Sequence, residues 1–125
     1  MDKGGALNTF WSSFGLPAYN EASVPTGPQA PDFPYITYRT MMGSFGQTIP
    51  LNGSIWYRSS SWSDAEAKAS EISRAISRAG VFVDYDDGAL WIQRGDPFSY
   101  NMGDESDDAI KRININIDVE FISED

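Results

Sequence analysis

The sequence contains neither cysteine nor histidine in its 125 residues. Without cysteine, the chain forms no disulfide bond, offers no thiolate nucleophile and builds no cysteine-type zinc site. Without histidine, it lacks the commonest general base of enzymes and the commonest side-chain ligand of transition metals. The chemistry that remains is that of carboxylates, or of a hard-cation site built from Asp and Glu.

Long apolar segments are also missing. No apolar run approaches the roughly 20 residues that a membrane-spanning helix needs, and no charged-then-apolar signal segment opens the chain. We therefore expect a soluble protein that is made in the cytoplasm and contacts no membrane. The hydrophobic content of 41% and aromatic content of 14% are typical of a globular protein, and the length favours one domain over residues 1–125.

The net charge of −9 is unevenly distributed. From Val81 to Asp125 the chain has three basic and twelve acidic residues, whereas the residues before Val81 are balanced. This distribution argues against adhesive binding to a phosphate backbone, which requires clustered Lys and Arg. A solvated acidic surface is the simplest interpretation of any single carboxylate here.

The clearest predicted helix begins at Ser63 and ends before Gly80. Ser63 and Glu66 have the spacing of a capping box, and Gly80 suits the left-handed position after a helix. One face of this helix is apolar but small, so the helix can lie close against a sheet. The residues of that face are Ala65, Ala69, Ile72, Ile76 and Ala79.

A second, shorter helix is predicted over Ala6–Gly15, followed by the stop signal Pro17. Its bulky residues recur at helical spacing, and we expect them to pack on the same core as the helix after Ser63. These residues are Leu7, Phe10, Trp11 and Phe14.

Five segments are predicted to be strands. They are Phe33–Gly43, Ser54–Ser60, Val81–Tyr85, Ala89–Gln93 and the alternating segment Ile113–Phe121. The third and fourth are joined by Asp-Asp-Gly, which is typical of a hairpin turn. Helices and strands together predict a small α+β domain rather than a helical bundle.

Three segments are predicted to be loops: the proline-rich Leu16–Asp32, Ser44–Gly53 and Arg94–Arg112. The apolar residues of the third loop either pack beneath it or form an arm that contacts a partner. The candidate contact residues of the first and third loops are Pro25, Pro28, Phe98, Tyr100 and Met102.

Two acidic clusters have carboxylates that suit a hard cation, and the first contains Asp84, Asp86 and Asp87. Counting from Asp84, the fifth and twelfth positions hold Gly88 and Gly95, so the ligand pattern of an EF-hand is not met. The second cluster either holds a hard cation loosely or is a solvated face, and the latter is commoner. It comprises Asp104, Glu105, Asp107 and Asp108.

The strand aromatics allow two interpretations, because exposed rings could stack sugars whereas rings in a sheet are usually core. They are Tyr35, Tyr38, Trp56, Tyr57 and Trp91. A pair of carboxylates acting as in a glycosidase is not ruled out by counting, although no layer that would form a cleft is evident. No phosphate loop, dinucleotide fingerprint or nucleophile elbow is present, and we predict no catalytic residue, cofactor or metal.

The order of these elements resembles the tail terminator, or tail completion, proteins of long-tailed, non-contractile bacteriophages and prophages. The resemblance covers essentially the whole chain. Its most specific parts are IWYRSSSW with the helix after it, the RGDPF segment, and the closing ININIDVEFISED. It implies an α+β fold with a mainly antiparallel sheet, here of four to five strands, and two helices packed on one face.

The resemblance also implies a function, which is structural and not enzymatic. Such a protein forms a homo-hexameric ring in the virion neck, assembled in the host cytoplasm, that caps the finished tail tube and faces the head–tail connector or stopper protein. DNA passes through the ring without specific binding, which an acidic lining favours because like charges repel. We expect either Asp104–Asp108, or Asp118 and Glu120, to face that lumen.

Three other functions remain open from the sequence. The chain could be another head–tail connector component, such as a head completion or stopper protein. It could be a small acidic inhibitor of the immunity type, which would be a monomer that covers a basic site on its partner. It could also be a carbohydrate-binding module, which predicts an exposed row of planar aromatic rings.

Overall fold

A computed structural model describes residues 1–40 and 47–123 of the chain. The end of the predicted first strand (41–43), the beginning of the loop after it (44–46) and the charged residues 124–125 lie outside this part.

The described chain forms two α-helices and six β-strands. The helices are α1 (Lys3–Trp11) and α2 (Ser63–Ile76). The strands are β1 (Ala18–Asn20), β2 (Tyr35–Tyr38), β3 (Thr48–Arg58), β4 (Val81–Tyr85), β5 (Gly88–Gly103) and β6 (Ile110–Ser123). Short 3-10 turns cover Ser12–Phe14, Glu21–Ser23 and Gly27–Gln29.

The strands form one sheet in the order β1-β2-β3-β6-β5-β4. Only β1 and β2 pair in parallel; every other neighbouring pair is antiparallel. The α+β class is therefore confirmed, whereas the described sheet has six strands and not four to five. The additional strand is β1, which lies inside the predicted loop Leu16–Asp32. Its three residues are too few to show an alternating pattern, and it is defined by its pairing with β2.

Both helices contribute to one hydrophobic core on one face of the sheet. The predicted apolar face of α1 is buried, as are Ala65, Ala69, Ile72 and Ile76 of α2. On β6, the predicted alternation is confirmed, because every second residue from Ile113 to Phe121 is almost fully buried. The residues between them point to the other face, where no described helix packs.

The sheet curls around α1. This helix contacts both β1 and β4, which are the two edge strands of the sheet. In a flat six-stranded sheet those edges would be about 24 Å apart, roughly twice the width of a helix. The two α-helices therefore lie on the concave side, and no described α-helix packs on the convex face.

The ends of α2 differ from the prediction. Ser63 is the first helical residue and not the cap, and the expected capping box with Glu66 does not form. Instead, the hydroxyl oxygen of Ser61 accepts a hydrogen bond from the backbone N–H of Ser63 at 3.1 Å. The helix ends at Ile76, four residues before Gly80, so Ala79 is exposed and outside the helical face.

Two predicted loops are largely strand. Thr48–Gly53 belongs to β3, and Arg94–Gly103 belongs to β5, leaving only residues 104–109 between β5 and β6. Both segments are polar on at least one face and interrupted by Gly or Pro, which hides the two-residue period of a strand. They become strands because β6 pairs with β3 on one side and with β5 on the other.

Candidate functional site

Aromatic and basic side chains meet on the convex face where β2, β3 and β6 lie side by side. In the register of the sheet, Tyr35 is opposite Trp56, and Trp56 is opposite Arg112. Ile55 points into the core from the same strand, so the alternation of β3 directs Trp56 to the uncovered face. We call these three residues, with Thr37 and Ser54, the aromatic–arginine cluster.

The ring of Trp56 lies between Tyr35 and Arg112, because their strands flank β3 on opposite sides. The rings of Tyr35 and Trp56 are stacked, with centroids 6.0 Å apart and planes at 11°. The guanidinium Cζ of Arg112 lies 4.6 Å from the centre of the Trp56 ring, within the range of a cation–π contact. Both faces of Trp56 are thus occupied, and this ring offers no free face for stacking a sugar.

Two hydrogen bonds fix the polar ends of this arrangement. The indole N–H of Trp56 donates to Oγ1 of Thr37 at 2.9 Å. The Nε of Arg112 donates to Oγ of Ser54, also at 2.9 Å. Since Thr37 and Ser54 are themselves nearly buried, they hold both side chains in defined positions.

Further aromatic rings surround the cluster. The rings of Tyr19 and Phe33 lie 6.4 Å and 5.3 Å from that of Tyr35. The guanidinium of Arg58 lies 5.9 Å from the centre of the Phe33 ring. All of these side chains except that of Arg58 are half-buried, so they form a continuous apolar surface with two arginines at its border.

A cleft of about 300 Å³ opens beside the cluster. Arg112 lies on its wall, and no carboxylate among the described residues is within ion-pair distance of that side chain. Glu21, at the rim, is instead paired with Arg39 at 3.2 Å. Burial raises the pKa of Tyr35, and the positive charge of Arg112 opposes this rise. The cleft is lined by Glu21, Val24, Tyr35, Thr37, Trp56 and Arg112.

A second aromatic pair lies at the other side of the convex face, on β4 and β5. The rings of Phe82 and Trp91 are stacked at 5.7 Å with planes at 5°, and Phe82 is 59% exposed. Trp91 donates its indole N–H to the carbonyl of Ala79 at 3.0 Å. We call Phe82 and Trp91, with the acidic neighbours Asp84 and Glu120 on the same face, the acidic–aromatic edge.

The acidic members of this edge have no described cationic partner. Glu120 is opposite Trp91 in the sheet register, and Asp84 is two residues from Phe82 on the edge strand. Neither carboxylate forms an ion pair with a described residue. The edge therefore combines exposed aromatic area with unneutralised negative charge.

Of the predicted contact residues, the prolines lie in the connection between β1 and β2. Pro25 is half-buried, and Pro28 is exposed within a 3-10 turn. The neighbouring Val24 lines the cleft of the aromatic–arginine cluster, whereas the two prolines do not.

The other predicted contact residues lie on β5 and do not share one face. Phe98 packs against the core and lines a cavity of about 240 Å³ beside α2. Tyr100 and Met102 lie opposite Asn114 and Arg112 on the convex face. The sheet register shifts between Arg94 and Ser99, and Phe98 therefore faces the other way. The packed arrangement thus describes Phe98, whereas Tyr100 and Met102 remain candidate contact residues.

The acidic turn before β6 is held by its own hydrogen bonds. Asp104 accepts hydrogen bonds from the hydroxyl and backbone N–H of Ser106, at 2.7 and 2.8 Å. Both bonds lower the pKa of the Asp104 carboxyl, and the bond from the hydroxyl has the larger effect. Asp107 accepts a bond from the N–H of Ala109 at 3.0 Å and pairs with Arg58 at 2.7 Å. The Ala109 bond and then Arg58 lower the pKa of Asp107. Glu105 and Asp108 are exposed.

The two candidate acidic linings lie far apart. Asp118 and Glu120 are half-buried residues of the convex face, near the end of β6. The turn containing Asp104 and Asp107 precedes Ile110, so about 30 Å of strand separates the two sets. Among the described residues, no group of three or more Asp or Glu is placed to hold a metal ion.

The aromatic residues that the sequence left ambiguous divide between the two faces. Tyr38 is buried in the core, and Tyr57 packs against it, whereas Tyr35, Trp56 and Trp91 lie on the convex face. Sequence reasoning missed Arg112 as a site residue. It was placed at the end of the predicted loop Arg94–Arg112, whereas in the structure it belongs to β6, and the pairing of β6 with β3 brings it to Trp56.

Within the described residues, no helix has the length and apolar character needed to cross a bilayer. In comparisons with known proteins, the sequence matches no family model, and a search of curated proteins finds no relative.

Proposed function

We propose that this protein is a structural component of a phage neck, a tail terminator whose subunits form a homo-hexameric ring on the completed tail tube. The observation that carries the proposal is the uncovered convex face, with aromatic surface at two separate places. Monomeric proteins rarely expose extended apolar patches, and such patches commonly mark contacts with other proteins. Two different patches on one chain favour assembly into a ring or filament.

The fold is consistent with the resemblance on which this proposal rests. That resemblance implies an α+β domain with a mainly antiparallel sheet and two helices on one side. Its three most specific segments correspond to defined parts of the fold: IWYRSSSW leads from β3 to α2, RGDPF spans the register shift of β5, and ININIDVEFIS lies within β6.

The proposed role is not enzymatic and uses no cofactor or metal. The absence of histidine and cysteine supports this. Of the two cavities described above, the one beside α2 has Glu66 as its single ionisable lining residue, and the carboxylate in the other, Glu21, is paired with Arg39. Neither provides a pair of free acid and base groups.

In the proposed assembly, the ring contacts the tail tube protein on one side and the connector or stopper protein on the other. DNA passes through without specific binding, and the protein is located in the neck of the virion after assembly in the host cytoplasm. The acidic turn (Asp104–Asp108) and the pair Asp118 and Glu120 are alternative linings for the lumen. Since about 30 Å separates them, a map of the ring would distinguish them.

Light scattering tests the proposal. The chain should have six times its subunit mass of 13.8 kDa, either alone or once tail tube protein is added. A monomer under both conditions contradicts the ring. A monomer that forms a one-to-one complex with a basic protein would favour the inhibitor alternative, and a ring that binds only connector protein would favour a stopper.

A loop variant tests which segment contacts the partners. Shortening residues 24–31 leaves β1 and β2 intact and removes the segment that holds Pro25 and Pro28. We expect folded protein, with unchanged circular dichroism, that no longer joins tails to heads. Normal joining would exclude this loop as a contact.

A further inference from the structure

We infer that the cleft of the aromatic–arginine cluster receives the acidic–aromatic edge of a second copy of the chain, so that subunits associate head to tail. This inference rests on the proposed ring and identifies the two surfaces that form its subunit contact. The contact would place Arg112 of one copy against Asp84 and Glu120 of the next, which leaves the acidic turn (Asp104–Asp108) as the lining of the lumen.

Arg112 is prepared to bind a carboxylate. Its Nε is held by Ser54, and its planar face is covered by Trp56. Its terminal nitrogens make no hydrogen bond to a described residue and remain for a forked interaction with a carboxylate, the geometry for which arginine is best suited. Arg112 is half-buried and has no carboxylate partner among the described residues, although the chain has 18 acidic and 9 basic residues.

The acidic–aromatic edge provides the complementary groups. Asp84 is exposed and Glu120 is half-exposed, and neither has a described cationic partner. Beside them, Phe82 is among the most exposed large apolar side chains of the described chain. Trp, Tyr and Arg are the residue types that most often dominate the energy of protein interfaces. The aromatic–arginine cluster contains all three, and the edge contributes Trp91.

The curvature of the sheet favours head-to-tail contact. The cluster lies on β2, β3 and β6, whereas the edge lies mainly on β4 and β5, on the other side of a convex surface. Two patches on a convex surface point in different directions, so one partner copy cannot engage both. Each subunit therefore binds two neighbours through different patches, which generates a closed ring when the rotation is suitable.

Reversing charges tests this contact. Arg112→Glu and Glu120→Arg, each alone, should raise the protein concentration at half-assembly about ten-fold or more, because like charges then face each other. An equal mixture of the two variants should restore the hexamer, since an alternating ring has opposite charges at every contact. The double variant in one chain should also assemble. Native mass is measured by light scattering, with tail tube protein present if the unmodified ring requires it.

Matched control variants make the same charge reversals at positions outside the proposed contact. Arg74→Glu, on the exposed side of α2, and Glu105→Arg, in the turn before β6, should assemble as the unmodified chain does. Circular dichroism confirms that each variant is folded. If Arg112→Glu does not fold, Glu120→Arg and Phe82→Ser test the contact instead. Both residues are at least partly exposed, so the variants should fold. Each substitution should weaken assembly.

The outcomes separate this inference from the proposed function. If the unmodified chain forms a ring and both charge variants assemble as well as it does, the proposed contact is wrong, but the proposed ring is not contradicted. If each variant loses assembly but the mixture does not recover it, the two surfaces do not bind each other, and the cleft takes an acidic segment of another protein. If the unmodified chain is a monomer even with tail tube protein, both are wrong.

Discussion

The indole ring of Trp11 lies so close to Gly53 that a methyl group on Gly53 would be 2.9 Å from the ring carbon Cη2. Trp11 is fully buried and stacks on Tyr38, with centroids 6.2 Å apart. The contact attaches the N-terminal helix to the middle of β3. Because that helix also contacts both edge strands, it helps to define the curvature that exposes the convex face.

Gly53→Ala should destabilise the protein. The added methyl group would also be 2.9 Å from the backbone oxygen of Thr37, so neither neighbour can move away easily. We expect the free energy of unfolding to fall by about 1–3 kcal/mol, as is usual for overpacking. Urea denaturation measures the change. Gly103→Ala is the control, because its methyl group would meet no atom within 4 Å and should alter stability by less than about 0.5 kcal/mol.

Trp11 should be the most costly residue of α1 to truncate. Trp11→Ala removes a large buried ring and should lower the free energy of unfolding by about 3–5 kcal/mol. Trp11→Phe should cost clearly less, because it keeps an aromatic ring and removes an indole N–H that has no hydrogen-bond partner among the described residues. Equal losses for both variants, measured by chemical denaturation, would contradict this order.

The beginning of α2 distinguishes the structure from the sequence prediction. Ser61→Ala removes the hydroxyl that accepts the N–H of Ser63 and should cost about 0.5–2 kcal/mol, the usual range for a lost helix cap. Ser63→Ala should cost less, since its hydroxyl caps no backbone group of the helix. Thermal denaturation of both variants provides the comparison, and a larger loss for Ser63→Ala would restore the capping-box interpretation.

The acidic turn should make stability depend on pH. In the folded protein the pKa values of Asp104 and Asp107 are lowered by hydrogen bonds and, for Asp107, also by Arg58. Both carboxylates therefore stabilise the fold above the ordinary pKa of aspartate, and this stabilisation is lost as the pH falls through their lowered values. Denaturation midpoints at pH 7 and pH 3 measure the effect.

Glu105, the residue next to Asp104 in the acidic turn, provides the control. Asp104→Ala should reduce the difference between the two midpoints, since one group with a lowered pKa is gone. Glu105→Ala should leave it unchanged, because the exposed Glu105 carboxylate accepts no hydrogen bond from a described residue. A similar reduction in both variants would mean that general charge repulsion causes the dependence.

Several elements were determined by local sequence. The apolar face of α1, that of α2 except Ala79, the hairpin at Asp86–Gly88 and the alternation of β6 are correct. Each depends on residues that lie within a few positions of one another, so periodicity and turn chemistry are sufficient to predict it.

Other features were decided only by the tertiary structure. Strand β1 and the polar half of β5 are strands because other strands pair with them, and the direction of Phe98 depends on a shift in that pairing. The contact between Trp56 and Arg112 joins residues 56 positions apart, and the contact between Trp11 and Gly53 joins residues 42 positions apart. Local sequence determined which residues could be buried or exposed, whereas the register of the sheet determined which of them meet, because hydrogen bonding between distant strands sets that register.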